Sequence, residues 1–166
     1  DPGRGATQLP PARAEASFWA PNNATQSWCE LHRTDTDIGS LGPNLLPANT
    51  VFQTGKSGTG WLLNSAALGG FDGQQTQVPA CAGSVFGGVA YYAGRVYLPC
   101  DGDGLVALSV DTTAHTITTP GDWTQAVNPG PPIAAMGLIW TRNQSGSTVY
   151  GFDPATGSQR VSVPLS

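Results

Sequence analysis

The chain has 166 residues and a formal net charge of −4, and only 11% of it is Asp, Glu, Lys or Arg. An average soluble domain carries about a quarter, which excludes a coiled coil, a charge-rich helical bundle and a charge-driven disordered tail. With 22 Gly, 14 Pro, Lys56 as the one lysine and no apolar run near the roughly 18 residues of a membrane span, the chain reads as turn-rich and all-β, with no membrane span and no nucleic-acid footprint.

Residues 1–41 hold no sustained period. Pro10-Pro11, Pro21-Asn22-Asn23 and Gly39 punctuate them, so they read as an irregular lead-in arm whose Phe18, Trp19 and Trp28 pack onto the remainder. No charged and apolar leader precedes them, which reads as a processed or excised product. Asp35 and Asp37 are expected to bond backbone amides in a turn. The sequons at Asn23 and Asn143 fit exposed loops.

From Gly42 the chain repeats itself. Val51-Phe52-Gln53-Thr54 with Gly60-Trp61-Leu62-Leu63 is one copy. Val96-Tyr97-Leu98-Pro99 with Gly104 to Leu108 is a second, and Ile139-Trp140-Thr141-Arg142 with Thr148 to Phe152 is a third. The first residues of these copies lie 45 and 43 positions apart. A candidate strand precedes each copy: Asn44 to Leu46, Gly88 to Tyr92, Pro132 to Met136. Weaker ones follow the later two, at Thr116 to Thr118 and Arg160 to Val163. Ala66-Ala67-Leu68 reads as the one helical turn, capped by Ser65 and stopped by Gly69. Four short strands at a period near 44 match a β-propeller blade. The expected fold is a propeller segment of three four-stranded blades over residues 42–166, following the arm.

Gly151-Phe152-Asp153-Pro154-Ala155-Thr156-Gly157 resembles the "YALD-x-x-TG" element of the pyrroloquinoline-quinone (PQQ) type propeller repeat. Gly130 to Ile133 with Gly137 to Trp140 is similar to the strands that precede that element. Phe86 to Leu108 and Gly55 to Asn64 look like two further copies. Asp35-Thr36-Asp37-Ile38-Gly39-Ser40 with Pro43 resembles the "D-x-D-x-G-x-x-P" lead into a blade of PQQ-dehydrogenase-like proteins. The family contains quinoprotein dehydrogenases, an outer-membrane assembly scaffold and many secreted members. Its dehydrogenases hold PQQ with calcium and a disulfide between adjacent cysteines. No two cysteines are adjacent here, so the resemblance carries the fold and leaves the redox chemistry behind.

Candidate chemistry is sparse. Asp101-Gly102-Asp103-Gly104 resembles the start of a calcium loop, but no further carboxylate follows at ligand spacing, and Asp-Gly suits a hairpin turn. His32 and His115 lack zinc-ligand partners, apart from Asp35 near His32. No Gly-x-Ser-x-Gly elbow occurs, and the only glutamates, Glu15 and Glu30, sit in the arm. Gly55-Lys56-Ser57-Gly58 precedes a strand, so it reads as a hairpin rather than a phosphate loop. Trp61, Tyr97, Trp140 and Tyr150 are read as glue between blades, with a ligand-stacking platform as the alternative.

In an up-and-down meander, the turns between second and third strands share one face with the connections between blades. Lys56, Asp101, Asp103, Arg142 and Asn143 gather there as the candidate ligand face. The same parity places Cys81 and Cys100 on that face as a disulfide and leaves Cys29 out. The expected function is a non-catalytic, secreted or cell-envelope binding or assembly module with no catalytic residue, metal or cofactor. The alternatives are part of a PQQ-dependent alcohol dehydrogenase and a surface-layer or filament subunit. Three blades do not close a ring of four or more, so the remaining blades are the expected partners, from a longer polypeptide or another chain. The open ends are expected to expose Trp61, Leu63, Trp140 and Phe152.

Overall fold

A computed structural model describes residues 7–8, 17–24 and 26–165. Pro10-Pro11 and Glu15 lie outside the described residues. The arm contributes strands β1 (Thr7–Gln8) and β2 (Ser17–Ala20), helix α1 (Trp28–Arg33) and a 3-10 turn at Ile38–Ser40. Periodicity over six residues is too short to see in sequence, yet α1 carries a conventional start, with Ser27 Oγ accepting from the Glu30 amide at 3.1 Å.

The first blade orders β3 (Asn44–Leu46), β4 (Thr50–Gln53), β5 (Thr59–Asn64) and β7 (Thr76–Pro79). Strand β6 (Gly70–Phe71) leaves that sheet and runs parallel to β2. The second blade orders β8 (Ala90–Tyr92), β9 (Arg95–Cys100), β10 (Gly104–Asp111) and a divided fourth strand. Its first part, β11 (Thr116–Ile117), pairs with Val110 and Asp111; its second, β12 (Trp123–Gln125), pairs with Leu105 to Ala107. The third blade orders β13 (Ile133–Ala135), β14 (Leu138–Asn143), β15 (Thr148–Phe152) and β16 (Gln159–Pro164).

The expected helix at Ala66 to Leu68 is not formed. The Ala66 amide bonds Asn64 Oδ1, the Leu68 amide bonds Ser17 Oγ, and Leu68 is buried beside Trp19. Gly69 and Gly70 then take φ of 83° and 72°, which turns the chain into β6 instead of closing a helical turn.

Alternation along each strand gives every blade a back face and a forward face. Phe52, Leu62 and Leu46 on the forward face of blade 1 pack against Val96, Leu98 and Leu108 on the back of blade 2. Tyr97, Leu105 and Ala107 on the forward face of blade 2 pack against Ile139 and Phe152 on the back of blade 3. The back of blade 1 is covered by the arm: Trp19, Leu31, Ile38 and Leu68 enclose Val51, Trp61 and Leu63. Trp61, Leu63 and Phe152, expected at open ends, are therefore fully buried. The arm does for blade 1 what a neighbouring blade does for the others. Trp140 alone of the four stays partly exposed.

Candidate functional site

The turns between second and third strands are short loops that the sequence-local chemistry dictates. Gly104 pairs directly with Cys100, so Asp101-Gly102-Asp103 is a three-residue hairpin loop with Gly102 and Gly104 at φ of 85° and 104°. The connections between blades fold down beside these loops. Ser84 ties two of them together: its hydroxyl donates to the Lys56 carbonyl at 2.9 Å, and its own carbonyl accepts from the Asp101 amide at 2.8 Å. The Asp103 carboxylate accepts from the Ala82 amide at 2.6 Å. In the next junction the Gln144 side chain donates to the Pro129 carbonyl and its amide to the Asn128 carbonyl, both at 2.7 Å. Backbone polar groups that a loop would leave to water are spent on knitting this face together.

The disulfide joins Cys81 to Cys100 on the same face, with Cα atoms 5.6 Å apart. Cys29 is free and exposed.

Each candidate ligand-face residue has a definite place. Lys56, in the β4–β5 turn, forms ion pairs with Asp35 at 3.0 Å and Asp37 at 3.5 Å. Its hydrogen bond to Asp35 raises the ammonium pKa. These two aspartates were expected to bond amides in a turn of their own; they clamp the arm to blade 1 through Lys56. Some twenty residues separate the partners, so only the fold reveals the pairing. Arg142 and Asn143 close β14. Asn143 Oδ1 accepts from the Ser145 amide at 3.2 Å, which occupies the oxygen within its own turn.

Among the described residues, open depressions line the face. One of about 390 Å³ is walled by Asp101, Asp103, Val127 and Asn128. A second of about 290 Å³ lies between Phe86, Pro99, Asp101, Asn128, Pro129 and Gln144. A third, about 330 Å³, is lined by Phe86, Gly130, Pro131, Arg142 and Gln144. Phe86 stands between the last two and is 48% exposed. The sequence offers no clear signal for Phe86, which lies on an irregular connection. Arg33, Arg95 and Arg160 pair with Glu30, Asp122 and Asp153. Arg142 has no ion pair among the described residues.

The described residues bring together no group of three or more His, Cys, Asp or Glu side chains. His32 lies in α1, and His115 sits in the β10–β11 turn with φ of 55°, its carbonyl accepting from Thr76.

BamB from Moraxella catarrhalis is similar, with a TM-score of 0.57 and 18% identity over 79% of this chain and 37% of that one. Sqt1 from Saccharomyces cerevisiae follows with a TM-score of 0.56 and 12% identity over 72% of this chain and 34% of that one. The computationally designed Ika8 protein gives 0.55 and 8% identity over 90% of this chain and 42% of that one. At these identities the likeness establishes the fold alone: this chain is built of β-propeller blades. It spans between a third and a half of the length of those structures. No protein-family model and no curated protein sequence matches the chain.

Proposed function

We propose that the chain is part of a secreted or cell-envelope β-propeller of the PQQ-type repeat family, acting as a binding and assembly module and completed by further blades. The observation that carries this reading is the turn face. Its loops are fixed by connections and a disulfide, and Asp101, Asp103, Phe86 and Arg142 line its depressions. A rigid face with scattered charges and one exposed aromatic suits recognition of another protein surface. The Cys81–Cys100 bond supports the extracytoplasmic location.

The test is co-purification of partners from the native source with Asp101→Lys and Arg142→Glu variants, each checked for an unchanged melting temperature. Selective loss of a partner supports the reading; full retention by both variants refutes it. Titration with PQQ and calcium, followed by dye reduction, tests the oxidoreductase alternative: a quinone absorbance with turnover would replace the binding reading. Particle images of the native material test the surface-layer or filament alternative.

A further inference from the structure

We infer that the forward face of blade 3 is the docking surface for the back face of one more blade of the same construction. This rests on the proposal above that further blades complete the propeller, and it names where and how the next one attaches.

Strand register aligns the three blades. Phe52, Tyr97 and Trp140 occupy equivalent positions on the second strands of the three blades: each follows a back-facing β-branched residue, Val51, Val96 or Ile139. Phe52 and Tyr97 are completely buried because the next blade covers them. The same face of blade 3 carries Ile133, Trp140, Val149, Val161 and Val163, aligned across the four strands by pairing. Ile133 is 62% exposed and Val163 46%. Ile133 corresponds to Ala90, which is buried against blade 3.

The existing interfaces also specify what arrives. Blades 1 and 2 each receive on their outer part the third-to-fourth turn of the blade that follows. Thr76 donates to the His115 carbonyl of blade 2. Trp123 and Gln125 donate to the Pro154 and Gly157 carbonyls of blade 3. Both arriving turns are built on an aspartate, Asp111 or Asp153, whose Oδ1 accepts two following amides. On blade 3 the positions of Trp123 and Gln125 are held by Val161 and Val163. The occupant is therefore a four-stranded sheet with a β-branched residue facing back from its second strand. It brings an aspartate-based turn onto Val161 and Val163, making apolar contact where the earlier latches make hydrogen bonds. A second copy of this chain does not supply that surface, because the arm already fills the back of its blade 1.

The test places a photocrosslinker in the native gene product that carries these residues: Ile133→p-benzoylphenylalanine, Val163→p-benzoylphenylalanine and, as control, Ser162→p-benzoylphenylalanine on the opposite face. Crosslinks from 133 and 163, but not 162, to a mapped four-stranded segment with the stated features are expected. A crosslink to a second copy, to an unrelated protein, or to nothing overturns the inference. Should the bulky probe unseat the blade, a Val163→Cys, Cys29→Ser variant reads the same surface by thiol labelling. Protection in the native protein that is lost on unfolding is expected, and free labelling overturns the inference. Because turn-face binding is read by different variants, it stands or falls separately.

Discussion

The Trp123 indole donates a hydrogen bond to the Pro154 carbonyl at 3.1 Å across the boundary between blades 2 and 3. The Tyr97 hydroxyl donates to the same carbonyl at 3.1 Å, and burial pushes that phenol's pKa up to about 12. The Asp-Pro-Ala-Thr-Gly turn is thus more than a chain reversal. It is the latch by which one blade grips the next, and Gly157 belongs to it because an added Cβ would fall 2.7 Å from the Trp123 ring.

Gly157→Ala is expected to cost about 2–4 kcal/mol of stability, combining a positive-φ penalty with a clash against the indole. Gly102→Ala isolates the first contribution, since φ is 85° there and nothing lies within 4 Å of the added carbon. That variant should lose only about 1–2 kcal/mol. Urea unfolding of both checks the difference; equal losses would remove the latch from the account.

Acid should weaken the aspartate turns. Asp111 is held below the ordinary carboxylate range by the amides of Ala114 and Thr113, and Asp153 by Arg160 and then the Thr156 amide. A lowered folded pKa gives stability that is present above the unfolded value, near 3.9, and lost as pH falls through the folded one. Melting temperature should therefore drop below about pH 4, and an Asp111→Asn, Asp153→Asn variant should show a shallower drop there. An unchanged slope contradicts these two groups as its source.

The hairpins between first and second strands invite stabilisation. Ala93-Gly94 and Met136-Gly137 form two-residue loops with φ of 50° and 76°, and 52° and 75°. Those are type I′ values, for which Asn-Gly is the preferred pair. Met136 is also 94% exposed, so its side chain contributes little packing. Ala93→Asn and Met136→Asn should each raise stability by about 0.5–1 kcal/mol. A loss in thermal unfolding would show that the loops are held by something else.

Removing the Cys81–Cys100 bond frees a loop of sequence separation 19. Loop entropy assigns about 3 kcal/mol to such a closure. Cys81→Ala with Cys100→Ala should lose that amount in denaturant titration, while Cys29→Ala should change nothing. Equal effects of the pair and of Cys29→Ala would contradict the assignment.

How far the sequence announced this structure depended on whether a segment's signal was local. Val51 to Gln53, Val96 to Leu98 and Ile139 to Arg142 are β-branched or aromatic runs beside Gly-rich turns, and each lies within a strand at the expected place. The Cys81–Cys100 pairing followed from strand parity alone. Thr76 to Pro79 and Trp123 to Gln125 went unseen because these fourth strands are short and polar, and hydrogen-bond partners rather than residue preference make them strands. The arm was harder to read for a different reason. Trp19 was expected to pack onto the remainder, but where it and Leu31 pack is fixed by blade 1, and the place of Asp35 and Asp37 by Lys56, all distant in sequence. The shared face of the turns was legible in position, since strand parity sets it. The Ser84 tie between the Lys56 and Asp101 turns was not, since loop contacts leave no periodic trace.

The most direct test of the account is sedimentation of the isolated 166-residue chain over a range of concentrations. Lacking the next blade, its Ile133–Trp140–Val163 face should drive reversible association, as exposed apolar faces do. An Ile133→Lys, Val163→Lys variant should be monomeric at every concentration with an unchanged melting temperature, because neither side chain is buried in this chain. A parent chain that remains monomeric throughout, with one cooperative unfolding transition, would contradict the claim that blade 3 awaits a neighbour.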